Sequence, residues 1–276
     1  YPGIGKENKI VNSGEIYSAG SMNTGIYSVG LDISNRSEIQ NTGIINLAGN
    51  NNIGILAERT NVINSGTITL GNGQISSSGI DFSIGIIGRD SRVLINGGKI
   101  SSGEYSMGVG IASILEDSIL EIQGGEITLG AESIYNYIKN VSLFGKTATL
   151  YDNSGGYYNL DQAKQVGIYS IEGNVYSNKT INVKEGTGSK GVYVENGVLR
   201  DINISGLTIN VENEETGIIA KNNPASLQYI YLNNNINVTG NSSEGLLHEE
   251  GKITNSGKII IDGAASFGVI SVVRNS

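Results

Sequence analysis

The fold of this chain is decided by one stretch, Asn64-Ser65-Gly66-Thr67-Ile68-Thr69-Leu70, whose opening phrase returns at intervals. Close copies of the phrase Asn-Ser-Gly-x-Ile begin at Asn12, Asn41, Asn96 and Asn255. Degenerate copies are centred on Ile127, Ala148, Ile181, Ile209 and Ile236. Internal repeats with a period of about 20 to 50 residues indicate stacked structural units, so this repeat sets the architecture.

Two further landmarks keep a nearly constant distance from the isoleucine of the copies. A Gly followed by two apolar residues comes 8 to 10 residues later, at Gly25, Gly54, Gly191, Gly217, Gly245 and Gly268. An apolar residue comes six residues earlier, at Ile10, Ile39, Val62, Leu94, Val175, Ile230 and Ile253. Successive copies are 21 to 33 residues apart. This spacing fits a coil of three short strands joined by loops of variable length.

Within a copy, apolar residues alternate with polar ones, as in Ile68-Thr69-Leu70 and Ile209-Asn210-Val211. Such alternation, with its β-branched bias, indicates half-buried strands. Three strands in each coil can turn their apolar side chains towards one interior. We therefore predict an all-β fold, a parallel β-helix (solenoid) of about ten coils of 21–33 residues, forming one domain over residues 1–276. Variable coil length favours the right-handed form, since left-handed β-helices usually keep a strict hexapeptide count.

The repeated Asn and the Gly two positions after it are expected at a turn of each coil. The Asn amide can bond the copy in the next coil, as in other stacked-strand assemblies. This prediction covers Asn12, Asn41, Asn64, Asn96 and Asn255. The Gly is expected to take a positive φ, which glycine adopts without a steric penalty.

The composition narrows the possible partners. The chain has 276 residues, a net charge of −8, 40 Gly, no Cys and one His. The negative charge argues against nucleic acid and anionic membrane as partners. No apolar run is long enough to cross a membrane, so we expect this fragment not to be embedded in one. The chain begins Tyr1-Pro2-Gly3, without an initiating Met, signal sequence or cap, and is predicted to be a piece of a longer solenoid.

No catalytic, cofactor-binding or metal-binding residues are predicted. Glycosidase or lyase chemistry on a β-helix needs carboxylates that converge from adjacent coils. The aspartates are sparse and scattered, and Glu58 with Arg89 is interpreted as a solvated edge pair. His248-Glu249-Glu250 is interpreted as an exposed turn rather than a metal site.

One region interrupts the repeat. Residues 132–165 are predicted to form an irregular coil with a projecting Tyr-rich loop, and residues 71–82 a smaller extrusion. Aromatic side chains on a loop above a rigid scaffold can contact a sugar or a protein surface. The candidate partner-binding residues are Tyr135, Tyr137, Tyr151, Tyr157 and Tyr158. The alternative is that these tyrosines pack the loop back onto the rod.

The stretches 64–71 and 23–28 (Asn-Thr-Gly-Ile-Tyr-Ser) resemble the passenger region of bacterial type V autotransporters. Nearly the whole chain, apart from 132–165, is similar to the large fusobacterial outer-membrane adhesins of the RadD type. The resemblance implies a secreted virulence factor on the cell surface, an extracellular passenger anchored in the outer membrane by a C-terminal barrel. It assigns no binding residues, because the repeat motif is structural.

Three functional hypotheses follow. The first is a non-catalytic adhesin stalk and binding segment that attaches to a surface protein or glycan of another bacterium or of a host cell. The second is a pore-forming passenger resembling the vacuolating cytotoxin, in which the rod inserts or oligomerises. The third is a carbohydrate-active β-helix enzyme. Dye release from liposomes separates the first two, and reducing-end release from polysaccharides tests the third.

Overall fold

A computed structural model describes residues 8–31, 35–77, 79–197, 200–223 and 228–272. The described residues form 28 strands and no helix. The strands are β1 (Lys9–Asn12), β2 (Glu15–Ser18), β3 (Thr24–Val29), β4 (Ser37–Asn41), β5 (Ile44–Leu47), β6 (Ile53–Glu58), β7 (Thr60–Asn64), β8 (Thr67–Leu70), β9 (Gln74–Ser76), β10 (Gly79–Asp81), β11 (Ser83–Arg89), β12 (Arg92–Ser102), β13 (Ser106–Ser113), β14 (Ser118–Leu129), β15 (Ile134–Asn140), β16 (Ala148–Asp152), β17 (Tyr157–Leu160), β18 (Val166–Ile171), β19 (Asn174–Ser177), β20 (Thr180–Val183), β21 (Lys190–Asn196), β22 (Ile202–Val211), β23 (Thr216–Asn222), β24 (Tyr229–Val238), β25 (Glu244–Glu249), β26 (Lys252–Asn255), β27 (Lys258–Ile261) and β28 (Phe267–Val272).

The strands stack in parallel as a solenoid of about nine turns, which confirms the predicted fold class. The first face runs β1-β4-β7-β12-β14-β16-β19-β22-β24-β26. The second face contains β2-β5-β8 and β17-β20, together with β27 and the far halves of the long strands β12, β14, β22 and β24. The third face runs β3-β6-β11-β13-β15-β18-β21-β23-β25-β28. Only β9 and β10 pair antiparallel in the described part, as a hairpin at the predicted extrusion.

The predicted column of isoleucines lies on the second face. Ile45, Ile68 and Ile100 are Cα partners in successive coils and are almost fully buried. Aliphatic side chains of this size contribute about 1.5–3 kcal/mol each when buried. Since each coil covers the side chains of its neighbours, burial is shared along the whole stack.

Two predicted members of the apolar columns are wrong. Ala148 lies on the first face, opposite Ser118. The position predicted for Ala148 in the isoleucine column is occupied by Tyr158, which is the partner of Ile181. Val93 rather than Leu94 is the partner of Val62. The reason for the second error is a bulge in β12 between Ile95 and Lys99, which adds a residue between the two faces.

The predicted asparagine ladder holds for the first three coils only. Asn12 Nδ2 donates to Asn41 Oδ1 at 2.8 Å, and Asn41 Nδ2 donates to Asn64 Oδ1 at 2.7 Å. Asn96 does not continue the ladder, because the bulge places Ile95 opposite Asn64. Asn255 is opposite Leu232 and makes local bonds instead. The ladder therefore ends where the register of β12 changes.

The expected positive φ of the following Gly is also wrong, except at Gly98. At Gly43 and Gly66, an added Cβ would overlap the carbonyl oxygen of the Gly in the preceding coil. These glycines let two backbones approach closely. The left-handed conformation falls instead on a second corner, three residues before the landmark Gly. It is adopted there by Met22, Asn51, Tyr105, Lys164, Glu214, Ser242 and Ala265, and by Glu132, which precedes Tyr135 at the equivalent position.

Segment 132–165 supplies β15, β16 and β17, one strand for each face of a coil. Its projecting part is the connection 141–147, where Leu143 and Phe144 are 80% and 72% exposed. In this coil Tyr135 occupies the position that Gly108 and Gly167 hold in the neighbouring coils. The described residues show no ladder pairing between β14 and β17. We attribute this gap to the two bulky rings, Tyr135 and Tyr158, in one layer of the core.

Candidate binding surface

A groove of about 670 Å³ lies on the outer side of the first face. Alternate residues of a strand point outwards, so equivalent positions of successive coils form columns. One column is Glu38, Asn61, Arg92 and Ile119. The next is Gln40, Ile63, Leu94 and Glu121, continued by Tyr151 and Tyr176. The groove thus spans β4, β7, β12 and β14, about 14 Å at the usual strand spacing.

Polar side chains from corner connections form the walls of this groove. Arg36 stands immediately before β4, while Glu116, Asp117 and Lys146 come from the connections before β14 and β16. Lys146 Nζ lies 3.4 Å from Glu116 Oε2, and Asp117 Oδ1 accepts a hydrogen bond from the Thr147 backbone at 2.7 Å. The wall is therefore tied together across adjacent coils. The floor is half-buried and apolar at Ile63, Leu94 and Ile119.

Two arginines, Arg36 and Arg92, lie close together in this groove. Burial, followed by the nearby charge of Arg92, lowers the pKa of the Arg36 guanidinium. Arg36 Nη1 and Asn61 Oδ1 are buried atoms without a hydrogen-bond partner. Both residues line the groove. A buried donor and a buried acceptor with unused hydrogen-bonding capacity thus belong to two residues that line the same groove.

Of the five tyrosines predicted to bind a partner, two lie inside the rod. Tyr135 is 4% exposed and Tyr158 is 3% exposed, and their ring centroids are 5.0 Å apart. Tyr158 Oη donates to Asp152 Oδ2 at 2.9 Å and accepts from Asn136 Nδ2 at 3.0 Å. Burial raises the pKa of Tyr135 to about 12 and raises that of Tyr158 as well. Both rings stay protonated in the folded core at neutral pH.

The other three predicted tyrosines lie on the outside of the rod, at separate places. Tyr137 makes edge-to-face contact with Tyr169 on the third face, with centroids 5.5 Å apart. Tyr157 is 67% exposed beside a second cavity, of about 510 Å³, in the gap between β14 and β17. Tyr151 is 41% exposed and stacks on Tyr176 next to the groove. The structure does not bring the five together, and Tyr151 is the one that adjoins the groove.

A buried lysine completes the polar cluster around Tyr158. Lys179 Nζ lies 4.6 Å from the Tyr158 ring centroid and donates to Ser154 Oγ at 2.8 Å. Burial lowers the pKa of Lys179, while the Asp152 carboxylate opposes that change. Ser154 Oγ donates in turn to Asp152 Oδ1 at 2.6 Å, which links Lys179 to the Tyr158–Asp152 pair inside the rod, so the cluster is structural.

The Glu58–Arg89 pair and His248 lie apart from the groove. Glu58 and Arg89 form the predicted edge pair, with Arg89 Nη1 3.5 Å from Glu58 Oε1. The interpretation of His248 as part of an exposed turn is wrong, because it lies in β25 with 7% exposure, its Nδ1 3.1 Å from Ser271 Oγ. The described ranges contain no cluster of three or more His, Cys, Asp or Glu residues suited to a metal ion.

Comparison with protein-family models, with curated proteins and with solved structures found no match for this chain. Across the part that the structure describes, no helix is both long and apolar enough to cross a membrane.

Sequence reasoning did not find Arg36 and Arg92 as groove residues. They are separated by more than two coils of chain, and outward positions do not obey the repeat. A signal was nevertheless present in Ser91-Arg92-Val93, where an arginine stands between two inward-facing residues of a strand. To place Arg92 beside the residues of β7, the register of β12 against β7 must be known. The bulge in β12 shifts that register by one residue, and the sequence does not show the bulge.

Proposed function

We propose that this chain is a non-catalytic stalk and binding segment of a cell-surface adhesin that attaches to other bacteria or to host cells. The observation that supports it best is the groove on the first face, which four successive coils build together. Binding sites combine an apolar surface with a few polar groups that fix orientation, and this groove has both. Its occupant belongs to the surface of another cell.

The solenoid suits the stalk part of this role. Ten stacked layers on the third face, at about 4.8 Å each, give a rod about 43 Å long between the first and last layer. Each coil is hydrogen-bonded to the next on several faces, and buried side chains such as Ser91 and Ser118 bridge adjacent coils at the corners. A rigid rod of this kind holds its surface groups at fixed distances from one another.

A specific observation favours a second role, the lateral association expected of an oligomerising passenger. On the third face, the outward column before the landmark Gly is apolar in five successive coils. It consists of Ile53, Ile84, Met107, Ile134 and Val166, of which Met107 is buried and the other four are half-buried. Light scattering of the purified chain at rising concentration, together with dye release from liposomes, tests this role. A monomer that leaves liposomes intact at all concentrations excludes it.

The proposed adhesin function is tested by measuring attachment of the labelled 276-residue chain to a panel of bacteria and host cells. Saturable attachment to at least one cell type is expected, and no attachment to any of them contradicts the function. Removing residues 136–165 is unsuitable, because it deletes most of one coil including β16 and β17. The double variant Tyr151→Ser/Tyr157→Ser instead removes exposed rings and keeps the coil, so it reports whether these tyrosines contribute.

A further inference from the structure

The carboxylates around the groove already have partners. Glu38 pairs with Lys9 at 3.0 Å, and Glu116 pairs with Lys146 at 3.4 Å. Asp117 accepts from Thr147. The Asp90 side chain accepts from the backbone amides of residues 114–116 at 2.7 to 3.0 Å. These negative charges are therefore used in joining one coil to the next, whereas Glu121, which also lines the groove, accepts from Gln123 of its own strand.

The two arginines, in contrast, have no ion pair with any residue that the structure describes. Arg36 is half-buried, with its Nη1 atom shielded from solvent and unpartnered. Like charges close together destabilise a fold unless a counter-charge lies between them. A guanidinium has planar donors that match an anionic group in a two-point fashion. The carboxylates of Glu116, Asp90 and Asp117 lie near enough to Arg36 to oppose the fall in its pKa, but none of them forms an ion pair with it. On a protein of net charge −8, an adjacent arginine pair that makes no ion pair with a described residue indicates a site for an external anion.

The floor of the groove indicates which class of molecule bears the anionic group. Ile63, Leu94 and Ile119 form an apolar strip, and Tyr151 stacked on Tyr176 continues it. Apolar and aromatic surfaces of this kind suit the C–H faces of sugar rings. Around them, polar groups at Glu38, Asn61 and Glu121 can bond hydroxyls.

A peptide fits this groove less well than a sugar does. Extended peptides usually bind to the free edge of a sheet, where main-chain groups are unpaired. The groove lies on the face of the sheet, and its inner strands β7 and β12 have ladder partners on both sides.

We propose that the first-face groove binds an acidic saccharide, whose carboxylate or sulfate group is held between Arg36 and Arg92. The sugar rings lie along Ile63, Leu94 and Ile119. This proposal deepens the adhesin function proposed above and rests on it, since it names the class of surface molecule that is recognised.

The test is equilibrium binding of the whole chain to three sets of oligosaccharides: carboxylated, sulfated and neutral. We expect binding to an acidic set and at least tenfold weaker binding to the neutral analogue, about the loss of one charge-assisted pair. Arg36→Gln and Arg92→Gln should each weaken acidic-sugar binding by about tenfold or more. Lys99→Gln, which removes one positive charge from the second face on the same strand β12, should leave it unchanged.

Two controls distinguish loss of a direct contact from loss of structure. The first is the melting temperature of each variant, and the second is Arg36→Lys, which keeps the charge but loses two-point bonding. Partial binding by Arg36→Lys, at an unchanged melting temperature, supports direct contact. Equal binding of acidic and neutral sugars, no binding to any acidic sugar, or full binding by both Gln variants overturns the proposal. If the chain attaches to cells and both Gln variants attach equally well, the saccharide site is wrong but the adhesin function stands. If the chain attaches to no cell, the adhesin function fails even where acidic sugars bind.

Discussion

Asn41 and Asn64 are both fully buried, and the Nδ2 atom of Asn41 donates to the Oδ1 atom of Asn64 across 2.7 Å. Asn12 extends the contact by donating to Asn41. Buried amides in register fix which coil residue lies above which, because a shift by one position would leave them unpaired. The asparagines thus determine register, while the isoleucine columns supply most of the burial.

The variant Asn41→Ala should lower the free energy of unfolding by about 1–3 kcal/mol, since Asn64 Oδ1 loses its donor inside the protein. Asn182 is a matched control in an outward ladder, where its Nδ2 donates to exposed Asn159. Water can replace that partner, so Asn182→Ala should cost less than about 1 kcal/mol. Chemical denaturation of both variants checks this, and equal costs would contradict the ordering.

Gly43 and Gly14 occupy equivalent positions in adjacent coils but have different surroundings. A Cβ on Gly43 would overlap the Gly14 carbonyl oxygen, whereas a Cβ on Gly14 would meet no atom within 4 Å. We expect Gly43→Ala to destabilise by about 1–3 kcal/mol, as overpacking does. Gly14→Ala should be neutral or stabilising by a few tenths of a kcal/mol, because Ala restricts the unfolded chain. Thermal melting of the pair measures the difference, and similar melting temperatures would refute close backbone stacking.

Tyr158→Phe should lower the free energy of unfolding by about 1–3 kcal/mol. The change removes the hydroxyl that donates to buried Asp152, so the carboxylate loses a partner in the core. Tyr157→Phe is the control, since Tyr157 is the adjacent residue and 67% exposed. Its effect should be close to zero, measured by the same denaturation experiment. A larger cost at Tyr157 than at Tyr158 would show that the coil is built differently.

The raised pKa of Tyr135 predicts that the free energy of unfolding depends on pH in the alkaline range. Burial raises its pKa from 10.0 to about 12 in the folded protein. Between these values the unfolded chain loses the phenolic proton while the folded chain keeps it, so the free energy of unfolding falls as pH rises. Tyr135→Phe should make the fall between pH 10 and 12 shallower. Denaturation at several pH values tests this, and an unchanged slope would indicate that Tyr135 is exposed to solvent.

Much of the fold could be predicted from the sequence, because inward positions obey the repeat. The column through Ile45, Ile68 and Ile100 needs only the spacing of like residues. Errors arose where a bulge or a substitution changes the count, as at Leu94 and Ala148. Neither local change alters the apolar pattern enough to be visible in one sequence.

The groove could not be predicted in the same way. Arg36 and Arg92 face outwards. Because many residue types are tolerated in contact with solvent, the repeat does not determine which residue stands at these positions. Their proximity depends on the exact stacking of the coils between them. The tyrosines stood out in the sequence because they break the pattern, but Tyr135 and Tyr158 break it as core residues rather than as contact residues.

The claim on which the groove and the columns depend is that successive coils stack in register, and spin labels measure it directly. The chain has no cysteine, so label pairs can be introduced at Asn46→Cys/Thr69→Cys and at Asn46→Cys/Ser101→Cys. Asn46 and Thr69 are Cα partners in adjacent coils, about 4.8 Å apart, and Ser101 lies one layer further, at about 9.6 Å. Stacking in register predicts strong dipolar broadening for the first pair and clearly weaker broadening for the second. Equal broadening in both pairs, or none in the first, would contradict it.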